Sequence, residues 1–98
     1  MRIDSDIVDI PSAGTAVQVL NTRDKIAWIK IKSLAANSGI IYVGDSAVSA
    51  TNGYELDPGG GIDGELVMDF RPDAIRASDI YVDAATSGND VSWIAILE

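Results

Sequence analysis

The sequence contains no cysteine and no histidine. Without cysteine there is no disulfide, no thiolate metal ligand and no thiol nucleophile. Without histidine the chain lacks the side chain most often used as a general base near neutral pH, and the commonest transition-metal ligand. Cationic residues are also scarce, with seven Lys and Arg against fifteen Asp and Glu, for a formal net charge of −8. The seven are dispersed, whereas nucleic-acid binding draws its affinity from clustered cations, so no nucleic-acid partner is expected. The acidity reads first as a source of solubility and second as the complement of a basic partner surface. Long apolar runs are missing as well. Ile40–Val43 and Trp93–Leu97 are a few residues each, against the ~20 that a membrane helix needs. The first nine residues carry one Arg and three Asp with no apolar stretch. Neither a membrane span nor a secretory leader is expected.

What the sequence does have is alternation. In Ile62–Phe70, Ile62, Gly64, Leu66, Met68 and Phe70 share one face while Asp63, Glu65 and Asp69 take the other, the pattern of a half-buried strand. In Lys25–Lys32, Ala27, Ile29 and Ile31 alternate with Trp28, Lys30 and Lys32. Further strands are expected at Thr15–Leu20, Ile40–Gly44, Asp79–Ala84 and Asp90–Leu97, with a polar, edge-like one at Ile3–Ile10. Turn residues separate them: Pro11–Gly14, Asn21–Asp24, Asn37–Gly39 and Ser87–Asn89, with Pro58–Gly61 as a flexible or tightly turning loop. Asn52-Gly53 is the strongest hairpin signal, since both residues tolerate the positive φ of a type I′ turn. Only Pro72–Ala77 reads as helical, with Pro72 at a first helical position and Asp73 in the first turn.

These signals predict one all-β domain over residues 1–98, with seven to eight short strands and at most one short helical turn near 72–77. Residues 1–10 form an edge strand or an arm. Such spacing suits a sandwich, a jelly roll or a small barrel. A two-layer antiparallel β-sandwich or jelly-roll-like domain is favoured, because several strands show one apolar and one polar face. Ile41-Tyr42-Val43 and Ile80-Tyr81-Val82 also repeat one short pattern. They are either coincident strands or equivalent places in a pseudo-symmetric fold.

Catalytic constellations are hard to find. Triads and dyads built on His or Cys are excluded. Twelve Asp and three Glu would supply a glycosidase pair, but that chemistry needs a deep saccharide cleft that so small a β domain hardly provides. Asp4, Asp6 and Asp9, and Asp57, Asp63 and Glu65, are the only acidic groupings with a Ca²⁺-like spacing. Neither matches a D-x-[DN]-x-[DN]-G loop, and both read as backbone-bonding residues at strand ends and turns. Gly59-Gly60-Gly61 lacks the Lys and the helix of a phosphate loop. No enzyme, cofactor or metal is therefore expected. The candidate partner-binding residues are Trp28, Lys30 and Lys32, which share a strand face opposite the isoleucines; the alternative is that Trp28 covers the second sheet or an internal loop, with the lysine stems running past it. Trp93 joins them from a final strand apolar on both faces, which must be central or covered by a partner.

At residues 40–59 a more specific pattern occurs. Ile40-Ile41-Tyr42-Val43-Gly44, Val48-Ser49-Ala50, Asn52-Gly53-Tyr54, Leu56 and Pro58-Gly59 resemble a segment found in small structural proteins of tailed bacteriophages. The stretch Asp79–Ala84, ending in Val91-Ser92-Trp93, is similar to a second portion of the same proteins. The resemblance spans residues 40–97 and implies a virion component made in the bacterial cytoplasm. Its expected role is a capsid decoration protein on the phage head, acting as a homo-oligomer, with a trimer favoured, and taking the major capsid protein as partner. A host- or glycan-binding module of a fibre or tail tip, and a small tail or neck component, are the alternatives.

Overall fold

The structure, a computed structural model describing residues 1–98, is all-β and consists of two antiparallel sheets. In chain order the strands are β1 (Arg2–Ile10), β2 (Val17–Gln18), β3 (Lys25–Ser33), β4 (Ile41–Gly44), β5 (Tyr54–Leu56), β6 (Glu65–Asp69), β7 (Ile75–Arg76), β8 (Tyr81–Ala84) and β9 (Asn89–Leu97). The larger sheet runs β1-β9-β3-β6, with β7 also paired to β3, and the smaller runs β2-β8-β4-β5.

The pairings are nested. Arg2 faces Leu97, Val17 faces Val82, Lys25 faces Arg76, Trp28 faces Asp69, Ile41 faces Leu56 and Ser49 faces Asn52. The chain is thus one long antiparallel ribbon doubled back about residues 49–52. Side-by-side joining of that ribbon, β9 to β3 and β8 to β4, turns it into two sheets. The Ile-Tyr-Val repeats lie on β4 and at the start of β8, and these strands pair directly, Tyr42 with Asp83 and Val43 with Val82.

Alternation decides what is buried. Ile26, Ile29 and Ile31 of β3 and Val91, Trp93, Ala95 and Leu97 of β9 meet Ile41, Val43, Leu56, Val82 and Ala84 of the smaller sheet in one hydrophobic cluster. β9 lies between β1 and β3, the central place its apolar character required. Trp93 fills the core with only 7% of its surface exposed, and its indole N–H has no acceptor. Volume has prevailed there over a hydrogen bond.

Three expectations are corrected. Asn52-Gly53 is not a type I′ turn, because only Gly14, Gly59, Gly60 and Gly88 have positive φ. The turn lies two residues earlier, at Ser49–Asn52, and Asn52 donates through its side-chain amide to the Ala47 carbonyl. Gly53 is required for space instead, since a Cβ there would stand 2.7 Å from Val48 Cγ2. Pro72–Ala77 is not helical: Ile75 and Arg76 pair with Ile26 and Lys25. So short a helix is poorly nucleated, and the open edge of β3 offers its backbone a partner. The helical turns are two 3₁₀ segments, Ile62–Gly64 and Ala77–Asp79. Ile62, expected on the inner face of a strand, is 90% exposed in the first of these. Of the two readings of Pro58–Gly61, the loop takes the tightly turning one and is fastened: Gly60 N–H donates to the buried Ser33 hydroxyl, which donates to the Asp57 carbonyl. Gly60, at φ +64°, leaves no room for a Cβ beside the Ser33 carbonyl.

β1 is an edge strand, and it carries its own protection. The N–H groups of Ser5 and Ile7, which face away from β9, donate to the carboxylates of Asp4 and Asp6 at 2.9 and 2.7 Å. Edge donors satisfied this way, beside negative charge, are poor templates for another strand. Replacing Asp4 and Asp6 together with alanine is expected to shorten the aggregation lag at 37 °C severalfold. Light scattering checks this, and an unchanged lag would contradict the role.

Candidate interaction surface

The two sheets differ in what covers their outer faces. On the smaller sheet, Tyr42 and Asp83 point outward yet are buried, at 7% and 1% exposure. The β1–β2 loop reaches over Asp83, whose carboxylate accepts from Gly14 N–H at 3.0 Å, and Gly53 of the β4–β5 loop packs on Tyr42. The chain's own loops cover the centre of this face, leaving Glu55 exposed at its β5 edge.

The larger sheet has no such cover. Register places its outward side chains in rows across β1, β9, β3 and β6. One row is Ile3, Ile96, Trp28 and Asp69; the next is Ser5, Ile94, Lys30 and Val67; the third is Ile7, Ser92, Lys32 and Glu65. Ile3, Ile7, Val67 and Ile94 are 71, 58, 50 and 44% exposed, and Trp28 and Ile96 are half-buried. These exposed apolar side chains thus lie side by side on one face of the larger sheet. Its centre is crossed by an ion pair, Lys30 to Glu65 at 3.3 Å, and its corner by Arg71, which grips Asp69 through two hydrogen bonds of 2.9 and 2.7 Å.

Of the residues singled out from sequence, Trp28, Lys30 and Lys32 stand on this face as expected. Trp93 does not point with them, because its ring enters the core, although it reaches the wall of a shallow hollow of about 260 Å³ bordered by Lys30, Lys32, Ser92 and Ile94. The isoleucines Ile3, Ile7, Ile94 and Ile96 were not singled out. Their signal was present in the two apolar faces of β9, and in Ile3 and Ile7 falling on the face of β1 opposite Asp4 and Asp6. The acidic triplet of that strand is split by the same alternation: Asp4 and Asp6 lie opposite Ala95 and Trp93, Asp9 opposite Asp90.

The Asp9–Asp90 pair ends the outer face in like charge. Burial, then a hydrogen bond with Asp9 and repulsion from it, raises the Asp90 carboxyl above its ordinary value of 3.8. A raised folded-state pKa contributes stability below the unfolded value, and that contribution is lost as pH rises through the folded one. Asp90→Asn is therefore expected to melt higher than the wild type at pH 7, the gap closing below pH ~3.8. Calorimetry across that range checks it, and a gap that widened with acid would reverse the assignment. Asp69 goes the other way, lowered to about 2 by the Arg71 hydrogen bonds, so its share is lost only as pH falls through that value. Being solvent-exposed, it contributes little.

No protein-family model matches the chain, and neither a curated protein nor a solved structure does.

Proposed function

We propose that this chain is a non-enzymatic virion structural protein, a decoration protein that binds the outer shell of a tailed-phage head and stabilises it. The observation that carries the reading is the contrast between the sheets: the smaller one is covered at its centre by its own loops, and the larger one presents uncovered isoleucines around Trp28. In this reading the sheets form a jelly-roll sandwich, supported by the nested ribbon and the orders β1-β9-β3-β6 and β2-β8-β4-β5. The uncovered face is the contact surface, used between copies in a small oligomer, a trimer being favoured, and toward the major capsid protein. The resemblance of Ile40–Gly59 to small phage structural proteins supports the same assignment.

The test is co-sedimentation with expanded empty capsids, assembled from the major capsid protein encoded nearest to this chain's gene. Saturable binding together with a higher shell melting temperature is the expected result. Absence of both rejects the proposal.

A further inference from the structure

A second surface has a chemistry unlike the isoleucine face. Asn21, Thr22 and Arg23 of the β2–β3 loop, with Arg76 and Ser78 at the β7 end, line a cavity of about 580 Å³ that contains no hydrophobic residue. Two of the four arginines of this acidic chain meet there. Arg23 has no carboxylate within 4.0 Å, the only arginine of which this is true. The nearest acid in sequence, Asp24, is already engaged: Arg2 holds it at 2.6 Å and the Thr22 hydroxyl at 3.2 Å, and the Arg2 hydrogen bond leads in lowering its pKa. Arg76 has only a long contact with Asp79, 3.6 Å, between side chains that are 74 and 50% exposed. The backbone N–H groups of Asn21, Thr22 and Arg23 donate to no group of the protein.

The cavity is thus a concentration of donors with too few acceptors. Guanidinium groups match the planar or tetrahedral oxygens of a carboxylate or phosphate. The Asn21 amide and the Ser78 hydroxyl suit a hydroxylated body beside that anion, and the volume suits a small ligand. We propose that this cavity binds a monosaccharide-sized sugar acid, a uronate or a sugar phosphate, through Arg23 and Arg76. Asp79 competes for Arg76, so Arg23 is the principal contact. The site lies on loops, not on the isoleucine face, and does not depend on shell binding.

The test is a titration followed by amide chemical shifts in low-salt buffer. The probes are glucuronate and glucose 6-phosphate, with glucose as the neutral control and N-acetylaspartate amide as a protein-like acid. Expected are saturable shifts of residues 21–24 and 76–79 with glucuronate, glucose 6-phosphate or both, at least tenfold tighter than glucose or the aspartate derivative. The preferred sugar tells carboxylate from phosphate recognition. Arg23→Gln, which removes no internal hydrogen bond or ion pair, should weaken binding at least tenfold with an otherwise unchanged spectrum, and Arg76→Lys should weaken it less. No shifts with either sugar acid, equal binding of glucose, or an Arg23→Gln protein that binds as the wild type each overturn the proposal. Binding of N-acetylaspartate amide as tight as the sugars also overturns it, in favour of an acidic side chain of a partner.

Discussion

Ile31→Ala lowers the unfolding free energy by about 3–4 kcal/mol, within the range for a buried branched aliphatic side chain cut to a methyl group. For a domain of this size the melting temperature should drop by about 15–25 °C. Ile31 is fully buried in the middle of β3, flanked by Trp93 on β9 and Leu66 on β6. It belongs to the cluster that also holds Ile41, Leu56 and Val82 of the other sheet. Removing it opens a cavity between both sheets, in strands fixed on each side and slow to collapse into the gap. The comparison is Val67→Ala, one residue beyond Leu66 on β6 but on the open face, half exposed at 50%. That change should stay within about 0.5 kcal/mol. Denaturant unfolding followed by tryptophan emission reads both, because Trp93 lies beside the site. Equal losses for the two variants would mean that the sheets do not share one core.

The contrast between those positions was legible in the sequence, since alternation in Lys25–Lys32 assigns Ile31 inward and Lys30 and Lys32 outward without any structure. β3, β4 and β9 were legible for the same reason: each is long or apolar enough for period two to show. β7 was not, because two residues such as Ile75-Arg76 carry no period, whereas β2, Val17-Gln18, lies within the strand expected at Thr15–Leu20 and is shorter than that stretch. β7 is a strand only because the long edge of β3 lies beside it. The Asn52-Gly53 expectation failed because glycine serves two ends. Turn statistics weigh its freedom at positive φ, whereas here Gly53 makes room for Val48 and Tyr42. Neighbour order was beyond reach. Alternation says which way a side chain points and nothing about which strand lies alongside, and the nested ribbon joins residues as distant as Arg2 and Leu97. The candidate surface was half legible for that reason. Trp28, Lys30 and Lys32 could be placed on one face from β3 alone. The isoleucines of β1 and β9 join them only through the β1-β9-β3 order.

That order makes Ile94 the most informative residue for the proposed contact. It sits between Ser5 and Lys30 in the middle row of the open face, 44% exposed, with Ile96 and Ser92 in the rows to either side. Ile94→Asp places a carboxylate where the free protein tolerates it, half in water and next to the Lys30 ammonium. The melting temperature of the isolated chain should change by no more than about 5 °C. In a closed contact the same carboxylate loses its water and gains no dedicated partner, because Lys30 is already paired with Glu65. A buried charge without a partner costs about 3–5 kcal/mol, which corresponds to a loss of affinity of roughly a hundredfold or more. Sedimentation velocity for self-association and co-sedimentation with capsids should both register that loss, while circular dichroism stays unchanged. Trp28→Ala, in the neighbouring row, should weaken the same contacts, since large aromatic anchors carry much of the energy of such surfaces. Undiminished self-association and shell binding in the Ile94→Asp protein would move the contact surface off this sheet. A melting temperature depressed by more than about 10 °C would instead mean that Ile94 supports the fold itself.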